Sequence, residues 1–368
     1  MGICSVGTSW RFAVLFCLTK DRYRKETRED RGYKACVTLN TDMNYIVFDL
    51  EWNQSASGRV IKNQYGKLPF EIIEIGAVKL NDSLKIVSSF DRMIKPQVYL
   101  KLHKAVEKLL PITMRDLMKG KSFEAACREF FEWCGKDPVF VTWGDADLLQ
   151  LQRNMNFFNI HYDLEKPLLF IDAQRIYSEQ FLDGVKCVSL SVAVDALKVP
   201  KGKSYHRAVY DAQYTALAFT RLDPYLVKNH YSIDTYDVPK DDEDEICLTE
   251  EDIQQYVSKG FKTREEASDN RVLKSNRCFL CDRNMRRLVN WFCDNGKNYY
   301  AAFSCKEHGK ITGKYKVKCT DDGRYYGVRT LTLSDDRGVD EIKEKKKKEV
   351  ERARQKEELA KDQDYKQE

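Results

Sequence analysis

From Met43 onward the chain runs through three strand-like segments and then alternates helical with strand-like ones, an order that commits it to an α/β layer fold. Tyr45 to Leu50, Ile72 to Lys79 and Ile86 to Ile94 are rich in β-branched and aromatic residues, with turn chemistry at Asn81-Asp82-Ser83, and read as an antiparallel meander. Helical spacing takes over at Phe123 to Cys134, Asp147 to Phe157, Leu190 to Leu197 and Ala208 to Leu222, with short apolar strands at Pro138 to Trp143 and Leu168 to Ile171. The expected product is a mixed sheet flanked by helices that closes near Asn229.

The remaining length divides by charge. Of 368 residues, 1–42 show no sustained period and carry a mixed-charge stretch from Lys20 to Arg31, so they read as an extension, disordered or upstream of a natural start at Met43. A folded unit is expected over 43–229. Ser232 to Asp252 holds ten acids and one lysine, which predicts a solvated linker over 230–252. Residues 253–334 reverse the sign, with 17 Lys and Arg against 8 Asp and Glu, and 335–368 read as an exposed charged helix with Glu344/Lys348 and Glu357/Lys361 pairs. No apolar run approaches the ~20 residues that span a bilayer. Twelve cysteines without an export signal point to reduced thiols in the cytoplasm, and the five between Cys278 and Cys319 point to metal.

In Tyr45-Ile-Val-Phe-Asp-Leu-Glu51, two acids end an otherwise apolar strand, and its period of two puts Asp49 and Glu51 on one face. Like charges so close call for a divalent cation, and hard carboxylate oxygens suit Mg²⁺ or Mn²⁺. Two later segments add to them. Phe140-Val-Thr-Trp-Gly-Asp-Ala-Asp-Leu-Leu149 is a strand, a glycine turn and an acid at a helix start, and Ser204-Tyr-His-Arg-Ala-Val-Tyr-Asp-Ala-Gln213 sets His206 five residues before Asp211.

The ordered set Asp-x-Glu, Trp-Gly-x-x-Asp and His-x-x-x-x-Asp resembles the DEDDh 3′–5′ exonucleases from about Met43 to Leu222. Phe70-Glu-Ile-Ile-Glu-Ile-Gly-Ala-Val78 also resembles that family, and within it Trp143-Gly144, His206-Arg207-Ala208 and Ile94-Lys-Pro96 are most similar to the sporulation-inhibitor and enhancer-of-RNA-interference branch. The resemblance implies a ribonuclease H-like fold, with Asp49, Glu51, Asp147 and Asp211 holding two Mg²⁺ or Mn²⁺ ions and His206 as general base. The spacing of the family it resembles favours Asp147 over Asp145, which is then a candidate N-cap. The implied substrate is single-stranded nucleic acid, RNA ahead of DNA, trimmed from its 3′ end. Leu50 and Trp52 beside the first acids, and Ile112 and Thr113 in the segment Leu110 to Thr113, are the substrate-binding candidates. The alternatives are a DNA proofreading or repair exonuclease and a non-catalytic nucleic-acid-binding adaptor.

Downstream, Cys278-Phe-Leu-Cys281 and Cys305-Lys-Glu-His308 each place two ligands two residues apart, the pattern of one structural Zn²⁺ in a small ribbon-like module. Strands are expected at Leu288 to Phe292 and Tyr299 to Phe303, and Cys293 or Cys319 stands as an alternative to His308. Arg283, Arg286, Arg287, Lys310, Lys314, Lys316 and Lys318 alternate there with aromatic residues such as Trp291, Tyr299, Tyr300 and Tyr326, which suits phosphate contact and base stacking.

Overall fold

The computed structural model describes residues 44–182, 187–202, 205–294 and 296–364, so the expected extension 1–42 lies outside the described residues. The first sheet takes β1 (Tyr45–Gln54), β4 (Phe70–Leu80), β5 (Ile86–Met93), β6 (Val139–Thr142), β7 (Leu169–Asp172) and β8 (Ser232–Ile233), with a two-stranded hairpin of β2 (Ile61–Lys62) and β3 (Lys67–Leu68) standing apart. Its order is β5-β4-β1-β6-β7-β8; the first three strands form the antiparallel meander and β6 and β7 add in parallel to β1. One face packs on α3 (Phe123–Cys134) and α4 (Ala146–Phe157) through a cluster of Ile46, Phe48, Leu50, Phe130, Phe140 and Leu151. The other packs Tyr45 and Val47 on α5 (Ala173–Phe181), α6 (Leu190–Ala196) and α7 (Ala208–Phe219). Short helices α1 (Lys104–Leu109), α2 (Met114–Leu117) and α8 (Pro224–Asn229) complete this layer.

The second sheet is larger than a ribbon. It holds β9 (Ile246–Thr249), β10 (Ile253–Val257), β11 (Arg286–Asp294), β12 (Asn298–Cys305), β13 (Gly309–Cys319) and β14 (Tyr325–Ser334) in the order β11-β12-β13-β14-β10-β9, all antiparallel, with α9 (Arg264–Ser268) against it. The aromatic residues of this half are mostly core: Tyr300, Phe303 and Tyr315 are fully buried, and Tyr299 stacks on Tyr315 with centroids 4.3 Å apart. Of the expected base-stacking residues, Tyr300 and Tyr326 are buried by strand alternation, and Trp291 and Tyr299 are half-buried against the same core. The charged tail is helical as α10 (Asp336–Asp364), yet its start is no free solvent helix, because Val339 and Ile342 pack on Val289, Tyr300 and Ala302.

The acidic segment 230–252 is built into both sheets instead of lying in solvent. β8 pairs with β7 and β9 pairs with β10, while Tyr231, Ile233, Val238 and Leu248 join one core with Val47, Phe219, Val257 and Tyr326. The acids that dominate its charge gather in 241–245, and the apolar residues around them decide its position. His230 locks this junction, with Nδ1 2.7 Å from Glu179 and Nε2 2.9 Å from Asp252. Burial opposes its charge, but the two carboxylates outweigh burial and lift its pKa from 6.5 to about 9. The contribution to stability, on the order of 3 kcal/mol, is therefore complete below about pH 6.5 and lost as pH rises through 9. Thermal melts of wild type and His230→Gln are expected to converge across that window; curves that stay parallel would remove His230 as the cause.

Candidate active site

β1 carries Asp49 and Glu51 out of the core on the face of Tyr45 and Val47, while Ile46, Phe48 and Leu50 fill the opposite face. β6 pairs with β1 only as far as Val47–Val141, then turns at Gly144, whose φ of +97° suits glycine. The Leu50 N–H beyond the last pair is thus free of strand bonding and donates to Asp147 Oδ1 at 3.0 Å, which brings the start of α4 to the end of β1. Opening of a crevice where parallel strands end is the usual geometry of an α/β site.

The third contribution comes from α7. Gly76, opposite Asp49 on β4, has no side chain, and the backbone of Ala208 and Val209 lies where a Cβ would be. Beside it the buried Glu74 accepts from Arg207 Nε at 2.8 Å and from the Ala208 N–H at 3.3 Å, fixing the first turn of α7. His206 holds a left-handed backbone (φ +68°) and donates its N–H to Asp211 Oδ2 at 2.8 Å. An added Cβ in Gly76→Ala would stand 1.9 Å from Val209 N, a backbone collision expected to cost at least about 3 kcal/mol and to displace Asp211. An unchanged urea midpoint for this variant would contradict that packing.

The four carboxylates of the sequence pattern meet here. Burial, then the charges of Asp147, Glu51 and Asp211, hold the Asp49 carboxyl well above its usual range. Burial followed by Asp211, Glu74 and Asp147 pushes Glu51 to about 8, and burial pushes Asp147 to about 7 against the Leu50 N–H. Asp211 is raised by burial despite the His206 N–H. Ligand atoms of Glu51, His206 and Asp211 lie within 4.8 Å of one another. Crowded carboxylates that resist ionisation fit a divalent cation, which relieves the repulsion.

Other candidates fare differently. Asp145 occupies the N-cap position of α4 without capping it and instead pairs with Lys318 Nζ at 2.8 Å. The side chains of Leu50 and Ile112 are buried in separate apolar clusters, because strand and loop packing claims them, and Thr113 closes a capping box with Asp116 on α2. Trp52 lies partly buried against Phe70, with centroids 5.8 Å apart. Sequence reasoning missed two positioning residues: Glu74, signalled by an acid inside an apolar strand, and Asn53. Fully buried Asn53 donates to the Tyr99 and Lys101 carbonyls and accepts the His103 N–H, tying the chain before α1 to the end of β1.

In the second sheet, ligand atoms of Cys278, Cys281, Cys305 and His308 also lie within 4.8 Å of one another, at the turn before β11 and at the β12–β13 turn. Cys293 and Cys319 are not in that group. Although burial opposes it, the His308 and Glu307 N–H groups bring the Cys305 thiol down to about 6, so this donor set is suited to a soft cation such as zinc.

Residues 46–219 match the family model of the RNase_T exonucleases. A probable 3′–5′ exonuclease of Bacillus subtilis (strain 168), KapD, is 29% identical over 118 residues, which is 31% of this chain and 57% of KapD. A PolC-type DNA polymerase III of Staphylococcus saprophyticus is 27% identical over 197 residues, 52% of this chain and 12% of the polymerase. The chain thus spans little more than half of the first relative and about an eighth of the second. Among solved structures, the nuclease domain of 3′hExo, a DEDDh family member bound to rAMP, aligns with TM-score 0.44 and 16% identity over 53% of this chain and 98% of that domain. Cell-death related nuclease 4 aligns with TM-score 0.42 and 21% identity over 52% of this chain and 65% of that one.

Proposed function

From residues 46–219 being a DEDDh 3′–5′ exonuclease domain, we infer that the protein is a metal-dependent exonuclease that removes nucleotides from the 3′ end of single-stranded nucleic acid, RNA ahead of DNA. The observation that carries this reading is the convergence of four carboxylates from three separate elements, with His206 at the mouth of the crevice. Asp49, Glu51, Asp147 and Asp211 would hold two Mg²⁺ or Mn²⁺ ions. Bound there, the ions would activate water and stabilise charge on the phosphodiester.

The chain's own residues supply the rest. Asp211 and its bond to the His206 N–H orient the histidine, whose exposed imidazole takes the proton of the attacking water as the P–O bond to the leaving 3′ oxygen breaks. Glu74 and Arg207 hold α7 against β4 so that this arrangement survives substrate arrival. At the second site Cys278, Cys281, Cys305 and His308 would hold one Zn²⁺, and a four-residue donor set of this kind would serve structure. RNA is preferred because Trp143-Gly144 and His206-Arg207-Ala208 resemble the branch acting on RNA. A pure adaptor is disfavoured, because clustered carboxylates repel phosphate when no cation is bound.

The test is degradation of 5′-labelled RNA and DNA of matched sequence with Mg²⁺, Mn²⁺ or EDTA, with Asp49→Asn run beside the wild type. A ladder that shortens from the 3′ end, needs the cation and vanishes in the variant is expected. Binding without degradation of either polymer would turn the reading to the adaptor. His206→Asn is expected to slow turnover on the order of a hundredfold or more with cation affinity retained, and an equal loss of both would reject the base role.

A further inference from the structure

Between the two sheets lies a cleft of about 920 Å³ that the chemistry above does not use. Asp145, Leu149, Arg153 and Asn156 line it from one face of α4, at helical spacing, and Lys316, Lys318, Asp321 and Arg324 line it from β13 and the turn that follows. It opens beside the acidic constellation, since the Asp145 charge reaches Asp147 on one side and Lys316 on the other.

Seven cations face four carboxylates in its lining. Four are spoken for: Lys318 with Asp145 at 2.8 Å, Arg153 with both oxygens of Asp321 at 2.6 and 2.8 Å, Arg324 with Asp322 at 2.9 Å, and Lys67, whose Nζ donates to the Asp321 carbonyl at 2.6 Å. Among the described residues, Lys62, Lys240 and Lys316 have no ion-pair partner. Burial, then the neighbouring Lys318, pushes the Lys316 ammonium down to about 8, the strain of a cation kept in a wall without its anion. These three lysines line one cleft from three elements, β2, the segment after β8, and β13, and its volume of about 920 Å³ exceeds what a single phosphate fills. The exposed Tyr65 and the half-buried Tyr236 are set among them. A repeating polyanion with stackable bases matches that spread.

We propose that this interdomain cleft is the track for the phosphate backbone of the substrate strand upstream of its 3′ end, with Lys62, Lys240 and Lys316 as phosphate contacts. The proposal rests on the exonuclease reading and extends it to a site shared by both sheets. Removal of residues after 252 is no clean test, because Leu248 and the core it shares with Val257 and Tyr326 would be exposed.

The experiment uses the full chain with Mg²⁺ and hydrolysis-resistant phosphorothioate strands, so that the cation-dependent site can hold a 3′ end, and follows fluorescence anisotropy of 5′-labelled RNA and DNA of about ten nucleotides beside a labelled dinucleotide. In Lys62→Gln/Lys240→Gln/Lys316→Gln, long-strand affinity is expected to fall about tenfold for both sugars, and the log–log salt slope to flatten by about 2, at roughly 0.7 per lost phosphate contact. Dinucleotide affinity is expected to stay constant. Asp237→Asn, which removes an exposed carboxylate from the same lining, should tighten long-strand binding, an effect that misfolding does not produce. Unchanged affinity and slope in the triple variant overturn the track, as does an equal loss for the dinucleotide. Equal competition by a polyglutamate of matched charge would overturn it in favour of an acidic-peptide site. Length-dependent binding in a protein without cation-dependent trimming would reject the exonuclease reading while supporting the cleft as a nucleic-acid site.

Discussion

Asp49→Asn is expected to lower 3′–5′ hydrolysis by on the order of a thousandfold or more while raising the melting temperature of the cation-free protein. Both effects have one cause. Asp49 is pushed far above its ordinary pKa by burial and by Asp147, Glu51, Asp211 and Glu74, so its charge is an electrostatic cost carried for function. An isosteric amide keeps the shape and removes the repulsion; relief of about 1 kcal/mol corresponds to roughly 2–4 °C in a domain of this size. Asp211→Asn should lose activity too, but without the gain in stability, because Asp211 receives the His206 N–H at 2.8 Å and that bond weakens. Rates from the labelled-strand assay and melting curves in EDTA check the pair. Normal turnover in Asp49→Asn would overturn the site, and a fall in melting temperature would show that Asp49 is instead a structural acid.

Cys278→Ser is expected to abolish zinc retention and to unfold the knuckle end of the second sheet, with a loss of several kcal/mol or more. Cys278 and Cys305 are themselves buried in a cluster with Met285, Phe303, Ile311 and Leu331, so ligation and the local core form together. The loss should be visible in the near-ultraviolet signal of Trp291, which packs against Phe303 and Tyr315 at 5.8 and 5.0 Å. Cys293→Ser and Cys319→Ser, outside the ligand group, should retain one zinc per chain and the wild-type melt. Metal analysis that finds no zinc in the wild type, with an unchanged melt for Cys278→Ser, would reject the site.

These sites were legible to different depths. Asp49 and Glu51 could be placed on one face because a strand's period is two, and the meander and α/β alternation followed from apolar spacing. The two Cys/His pairs were legible because a knuckle is a local turn. Residue type and short spacing misled where burial decides. The interleaved basic and aromatic residues of the second sheet looked like a base-stacking surface, but strand geometry sends Tyr300 and Tyr326 into the core. The charge of 230–252 looked like a solvated linker, but Tyr231, Val238 and Leu248 weld the two sheets together.

By itself, then, the sequence determined the local patterns: the strand and helix order, the four carboxylates with His206, and the Cys/His pairs. Each rests on interactions within a few residues, which periodicity and residue chemistry report directly. Tertiary structure alone decided the rest: that Gly76 admits α7, that Glu74 meets Arg207 133 positions away, that Asp147 takes the Leu50 N–H, and that Lys318 pairs with Asp145 across the sheets. Such contacts depend on which surfaces meet when the layers close, and no local period encodes them, because their free energy appears only once the core has brought distant segments together.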